Sequence, residues 1–447
     1  MARMIRVAYF SPLAPMRTSI SHYSEELLPQ LCRRAHIDVY TDDRIAAAQE
    51  VGRIYPLYGY RDFAQAERYD QLIFQVGNSP EHVPIYDQFM HSGGVAVLHD
   101  LNVSEIIGAK TLRQGDGWGY LKQVKCNEGL GPFLRTAGGA LLRGQWPQPQ
   151  QGGTGGQGRL AVTRALVQRA AGLIVHSRAV RERLLARYPA ARVCVVPLAI
   201  RRPPAVDPAE ARQLLNLPAG AFICLSVGRL GPDKRIHVAL QAFARLLERC
   251  PDSLYVLVGE AVPGYPLEEL AQALGVADRV RLAGYVDLAT LYRYLAACDV
   301  GIGLRDLERG EASASLLRIM SMGRPVVVSN CASHAQFPGD SALKIDPGAG
   351  EIAQMTAALW AVCGHLPLRE WYGRRAARYV QANHSPAAAA RQYVEFLEEL
   401  AAVEAAEEIL LRDQGDSHRR TRPFERPALI VGHGQAQGAG EGSARED

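Results

Sequence analysis

Apolar residues in this chain fall in short unbroken runs, with stretches between them where they recur every three to four positions. The first series of runs covers residues 4–10, 37–41, 71–76, 94–98, 172–176 and 193–197. A second series covers 222–228, 254–258, 280–283, 300–304 and 326–329, with a weaker run at 341–345. Runs without polar alternation predict strands covered on both faces, as in a parallel sheet. Helical spacing separates them. It is clear over 25–32, in Ile236, Leu240, Phe243 and Leu247, and over 386–411 with Tyr393, Phe396, Leu397 and Leu400. Strand and helix alternating this way predict an α/β protein with two copies of a similar architecture.

The stretch 299–330 is the most informative unit. A strand at 300–304 leads through a polar loop, 305–311, into a helix that starts among the small residues 312–315 and runs to Met322. Gly323 can cap that helix, and Pro325 cannot continue it. At 100° per residue Leu316, Leu317, Ile319 and Met320 share one face, which should pack on the sheet. Glu311, Ser315 and Arg318 share the other. Free N–H groups at Ala312 and Ser313 with the positive dipole end would suit a phosphate. An ordinary crossover helix with a solvated polar face fits this stretch equally well.

Length and punctuation set the organisation. The 447 residues suffice for two domains. RRPPAVDP, residues 201–208, reads as a linker. It separates a first domain, 1–205, from a second, 206–385, followed by a helix at 386–412 that returns to the first domain. Residues 145–158 form a low-complexity stretch expected to be a flexible loop, and the polar, glycine-rich tail 413–447 is expected to be disordered.

Charge and cysteines exclude several classes. A net charge of +4 gives no electrostatic case for nucleic acid. No apolar run is long enough to span a membrane, and the N-terminus reads as a strand rather than a leader. The eight cysteines have no metal-like spacing, so free thiols in a reducing cytosol are expected. Contact with the inner membrane face as a peripheral protein stays open.

Polar groups collect after the strands, where open α/β sheets bind ligands. The first half places the loop 11–20 with Ser19, then Asn78 and His82, then His99 and Asp100 on one rim. The second half places Arg229 after a strand and Lys234 before a helix. A guanidinium and an ammonium converging there would hold a diphosphate. Two solvated surface cations are the plainer alternative. His99 could equally bond backbone, Asn78 and His82 could cap a turn, and Ser19 and Tyr23 could be purely structural.

Taken in order, SVGRLGPDK, LVGE, RLAGYVDLATLYRYLAACDVGIGL and GEASASLLRIMSMGRPVVVSN resemble the donor domain of glycosyltransferase family 4. YFSPLAP, GNSPEH, GGVAVLHD and VHSRAVRERL resemble its acceptor domain. The resemblance implies a GT-B fold, two Rossmann-like domains facing across a cleft. By it, Arg229 and Lys234 would hold the donor diphosphate with Ala312 and Ser313. Tyr285, Val286, Ser315 and Arg318 would lie at the nucleotide base and ribose. Glu311 and His99 would be catalytic, with Ser19, Asn78, His82 and Asp100 on the acceptor side. The chain departs from the family pattern at several points. Gly310 stands at the first glutamate of the E-x7-E motif, so Glu311 serves only after a one-residue shift. Arg318 stands at the second glutamate, Ser19 at a glycine and Gln336 at a later glutamate.

The expected function is a retaining glycosyltransferase using a nucleotide-diphosphate sugar and a sugar-containing acceptor, lipid-linked or not. It needs no cofactor and no metal, since the chain lacks a D-x-D clamp. A non-catalytic nucleotide-sugar-binding scaffold and a sugar-nucleotide epimerase are the alternatives.

Overall fold

The computed structural model describes residues 3–48, 54–143, 163–306 and 311–417. The expected loop at 145–158, Gly310 and most of the tail beyond 413 lie outside them. Residues 1–401 form one compact unit and 402–447 a second. In the second unit the description covers only the end of one long helix, Pro386–Ser417, which runs past the end expected near 412.

Within residues 1–401 the strands build two parallel sheets. The first contains β1 (Arg6–Phe10), β2 (His36–Thr41), β3 (Leu57–Gly59), β4 (Gln71–Val76), β5 (Gly94–Leu98), β6 (Ala170–Val175) and β7 (Val193–Val195) in the order β3-β2-β1-β4-β5-β6-β7. The second contains β8 (Phe222–Val227), β9 (Ser253–Val258), β10 (Val280–Gly284), β11 (Val300–Gly303), β12 (Val326–Ser329) and β13 (Leu343–Ile345), ordered β10-β9-β8-β11-β12-β13. The chain changes sheet between Val195 and Phe222. In register, Tyr9 lies beside Val39 and Ile73, and Cys224 beside Tyr255 and Val300.

The central strands are buried throughout, which is why their sequences lack polar alternation. One apolar cluster joins Val7 and Ile73 of the first sheet to Leu198 and Ile200 of the connecting segment and to Ile223, Leu225 and Leu316 of the second domain. Tyr393, Phe396, Leu397 and Leu400 belong to it, so the start of the last helix packs with the first domain. At Gly172 of β6 an added Cβ would lie 2.7 Å from Leu400 and 2.8 Å from Phe396. The glycine therefore lets the helix approach the strand.

Two parts of the expected layout change. The described residues between β5 and β6 form helices Ser104–Lys110, Gly117–Glu128, Leu130–Arg143 and Arg164–Arg169, which the apolar pattern did not mark. Strand β3 has only three residues, too few to show a pattern.

Candidate functional site

Both sheets have a switch point, where strand order reverses direction from a central pair. In the second sheet it lies between β8 and β11. The turn after β8 carries Arg229 and Lys234, and the segment after β11 carries Glu311, Ala312, Ser313 and Ser315. Of these, Lys234, Ser313 and Ser315 are brought together. Lys234 Nζ donates to the Val227 carbonyl, and Ser315 Oγ donates to the same oxygen at 3.3 Å. Ser313 caps the helix Ala314–Ser321 by accepting from Leu316 N–H, and its hydroxyl lies 3.3 Å from that of Ser315. Lys234, Arg305, Ser313 and Ser315 line one small pocket. Gly228 makes this possible. Its φ is +110°, and a Cβ there would lie 2.7 Å from Lys234 Nζ.

In the first sheet the switch point lies between β1 and β4, with β5 beside them. Asn78 and Asp100 are tied together, Asn78 N–H donating to Asp100 Oδ2 at 3.0 Å. Asn78 Oδ1 accepts from Glu105 N–H at 2.9 Å, so its side chain holds a helix start. His82 is buried, its Nδ1 3.0 Å from Ser79 Oγ, and its Nε2 has no partner. Burial pulls its pKa down to about 4. Both residues thus do the turn-capping work that the sequence left as an alternative. Ser19 is exposed and opens the helix Ser19–Leu31, whose cap is Thr18.

His99 is less open to the cleft than its strand-end position suggests. Its Nε2 donates to Gln75 Oε1 at 2.8 Å, and its ring packs edge-on to Tyr23 at 5.0 Å and against His176 at 4.8 Å. Burial, then the neighbouring His176 and His82, hold its pKa well below the ordinary range. The ring is neutral, and with Nε2 protonated Nδ1 is left as an acceptor.

Contacts between the two domains involve several second-domain candidates. Glu311 Oε1 accepts from Leu101 N–H at 3.2 Å. Arg229 Nη1 lies 3.5 Å from Glu105 Oε1. Arg17 stacks over Tyr285, 4.8 Å from the ring centroid, and Val286 packs on the shared apolar cluster. Arg318 requires a correction. Its guanidinium is buried and donates to Glu26 Oε1 at 2.7 Å. It meets a first-domain acid instead of being offered to a nucleotide base or ribose.

Glu26, Gln75 and Glu105 are absent from the residues singled out by sequence. Gln75 left a trace, a polar residue inside the otherwise apolar QLIFQV of β4. Glu26 and Glu105 left none, because acids in first turns and on helix faces are usually solvated. Among the described residues no group of three His, Cys, Asp or Glu is placed to hold a metal ion, and no helix is long and apolar enough to cross a membrane.

Residues 221–362 match the family described as glycosyl transferases group 1. The lipopolysaccharide core biosynthesis glycosyltransferase LpsE of Rhizobium meliloti is 32% identical over 142 residues, 31% of this chain and 39% of that one. A D-inositol 3-phosphate glycosyltransferase of Thermobifida fusca is 30% identical over 201 residues, 42% of this chain and 45% of that one. The chain thus spans less than half the length of either relative. The crystal structure of Anabaena Alr3699/HepE in complex with UDP-glucose superposes with a TM-score of 0.61 at 15% identity, covering 88% of this chain and 100% of that one. Residues 221–362 are thus similar to the glycosyl transferases group 1 family, on a chain with the two-domain GT-B fold.

Proposed function

We propose that the protein is a retaining, metal-independent glycosyltransferase that takes a sugar from a nucleoside-diphosphate donor to a sugar-containing acceptor. One observation carries the reading. Lys234, Ser313 and Ser315 line one pocket at the switch point of the second sheet, and Arg229 lies on the same turn after β8 as Lys234. As the glycosidic bond breaks through an oxocarbenium-like transition state, charge grows on the leaving diphosphate. Two cations and free helix N–H groups stabilise that charge more than the ground state, which lowers the barrier. The leaving phosphate itself takes the acceptor proton. Glu311 binds the donor sugar, and His99 Nδ1 accepts from a sugar hydroxyl.

UDP-sugars are the first donors to try, since the Anabaena structure holds UDP-glucose. The test is a panel of nucleotide sugars read by thermal shift and by nucleoside diphosphate release, with and without chelator. One donor should stabilise the protein and be turned over equally in chelator. Lys234→Ala should weaken its binding by about 1.5–3 kcal/mol, the range for hydrogen bonds to charged groups. Loss of turnover in chelator would overturn the metal-free mechanism. A non-catalytic nucleotide-sugar-binding role is the second reading, favoured by the engagement of Arg318 with Glu26. Binding of a donor without release, whatever the acceptor, would select it.

A further inference from the structure

One short segment of the first domain engages two of the second domain's candidate donor residues. Its Leu101 N–H donates to Glu311 Oε1 at 3.2 Å, and its Glu105 carboxylate lies 3.5 Å from Arg229 Nη1. The segment is itself fixed. Glu105 N–H donates to Asn78 Oδ1, and Asn78 N–H donates to Asp100 Oδ2. The Glu105 side chain is 9% exposed and that of Arg229 46%. The acid is therefore built into the first domain, whereas the arginine reaches it from a half-open position.

A buried carboxylate beside a diphosphate-binding guanidinium has a definite consequence. Arginine binds a phosphate through the same N–H groups that it offers a carboxylate. A diphosphate and Glu105 are both anionic, so sharing one guanidinium brings like charges together in a partly desolvated place. We propose that Glu105 is a positioning residue that competes with the donor diphosphate for Arg229. It holds the guanidinium in place while the site is empty and gives it up when the donor arrives. Release of Arg229 removes one of the two ties that this segment makes to the second domain, the Leu101–Glu311 hydrogen bond being the other. This rests on the reading of Arg229 and Lys234 as a diphosphate site.

The test uses inorganic pyrophosphate and the full chain, so that no knowledge of the nucleotide is needed. Calorimetric affinities are measured for wild type, Glu105→Gln, Arg229→Ala, the double variant and Lys234→Ala. Glu105→Gln keeps the backbone N–H bond to Asn78 and removes only the charge. It should bind pyrophosphate about tenfold more tightly, and the gain should vanish in the Arg229→Ala background. A residue with a merely structural role would not show that dependence. If Glu105→Gln binds no better than wild type while Arg229→Ala and Lys234→Ala bind worse, the competition is wrong and the diphosphate site stands. If Arg229→Ala and Lys234→Ala bind as wild type does, the diphosphate reading itself falls. Should Glu105→Gln fail to fold, Glu105→Asp, which draws the charge back from Arg229, takes its place with a smaller gain that should likewise vanish in the Arg229→Ala background.

Discussion

Arg318 and Glu26 lie 292 positions apart and meet in a buried ion pair of 2.7 Å that ties the second domain to the first. Glu26 belongs to the helix Ser19–Leu31 that follows β1, and Arg318 to the helix Ala314–Ser321 that follows β11. The other carboxylate oxygen of Glu26 accepts from Arg201 N–H at 3.0 Å, where the chain begins its passage between the sheets. One acid thus fixes both the partner domain and the connecting segment.

Breaking this pair from either side leaves an uncompensated buried charge, which typically costs about 3–5 kcal/mol. Glu26→Ala and Arg318→Ala should each lower the unfolding free energy by that amount. The Glu26→Ala, Arg318→Ala double variant should lose much less than the sum, because neither charge is then stranded. Urea unfolding of the four proteins measures the coupling. Additive losses would show that the pair does not act as a unit.

The sheets and the switch-point loops were legible in the sequence, whereas the interdomain contacts were not. Strands such as Gln71–Val76 and Val326–Ser329 are buried on both faces, so composition alone marks them. Lys234 and Ser315 converge because each lies on the crossover that follows a central strand, and strand and crossover are local in sequence. Arg318 differs. Its helix phase placed it correctly on the polar face, but which group it meets depends on how two domains dock, over 292 residues. Asn78 and His82 had turn-like context, and the turn is where their hydrogen bonds go.

Gly259, at the end of β9, offers a test of the backbone that carries Arg229. Its φ is +133°, and a Cβ there would sit 2.1 Å from the Gly228 carbonyl oxygen. Gly228 N–H donates to the Val258 carbonyl at 2.8 Å, so the two strand ends are interlocked. Gly259→Ala must displace the turn that bears Arg229 or unfold it. Stability should fall by about 1–3 kcal/mol, the cost of a residue held in a disfavoured region. Donor affinity should fall with it. An alanine variant that melts and binds like wild type would show that the turn yields freely.

Stability should depend on pH through buried neutral histidines. His176 donates from Nδ1 to the Val196 carbonyl at 2.8 Å, and its Nε2 is buried without a partner. Burial brings the pKa of His82 and of His176 down to about 4, and burial likewise lowers His384. In the unfolded chain these groups titrate near the ordinary value of about 6.5. Their contribution is therefore fully present above that value and is lost as pH falls from there toward 4, because the unfolded state takes up protons first. Unfolding free energy should be flat from pH 7 to 8 and decline below 6.5. His176→Gln, which keeps a donor but does not titrate there, should shallow the slope. A slope unchanged in that variant would remove His176 from the cause.

His99 should act on turnover more than on donor affinity. Its Nε2 is committed to Gln75 and its ring is wedged between Tyr23 and His176, so its tautomer and angle are fixed. With burial keeping the imidazole neutral, Nδ1 accepts a hydrogen bond but brings no positive charge to the donor phosphates. His99→Ala should lower kcat by about tenfold to a hundredfold, the loss of one positioned hydrogen bond in the transition state. The nucleotide-sugar Kd should stay within about twofold. Gln75→Leu removes the acceptor that sets the tautomer and leaves the ring in place. It should reproduce part of the kcat loss, again with little change in Kd. Equal losses in kcat and Kd for His99→Ala would mark the histidine as structural. Loss in His99→Ala with none in Gln75→Leu would mean that packing against Tyr23 and His176 alone orients the ring.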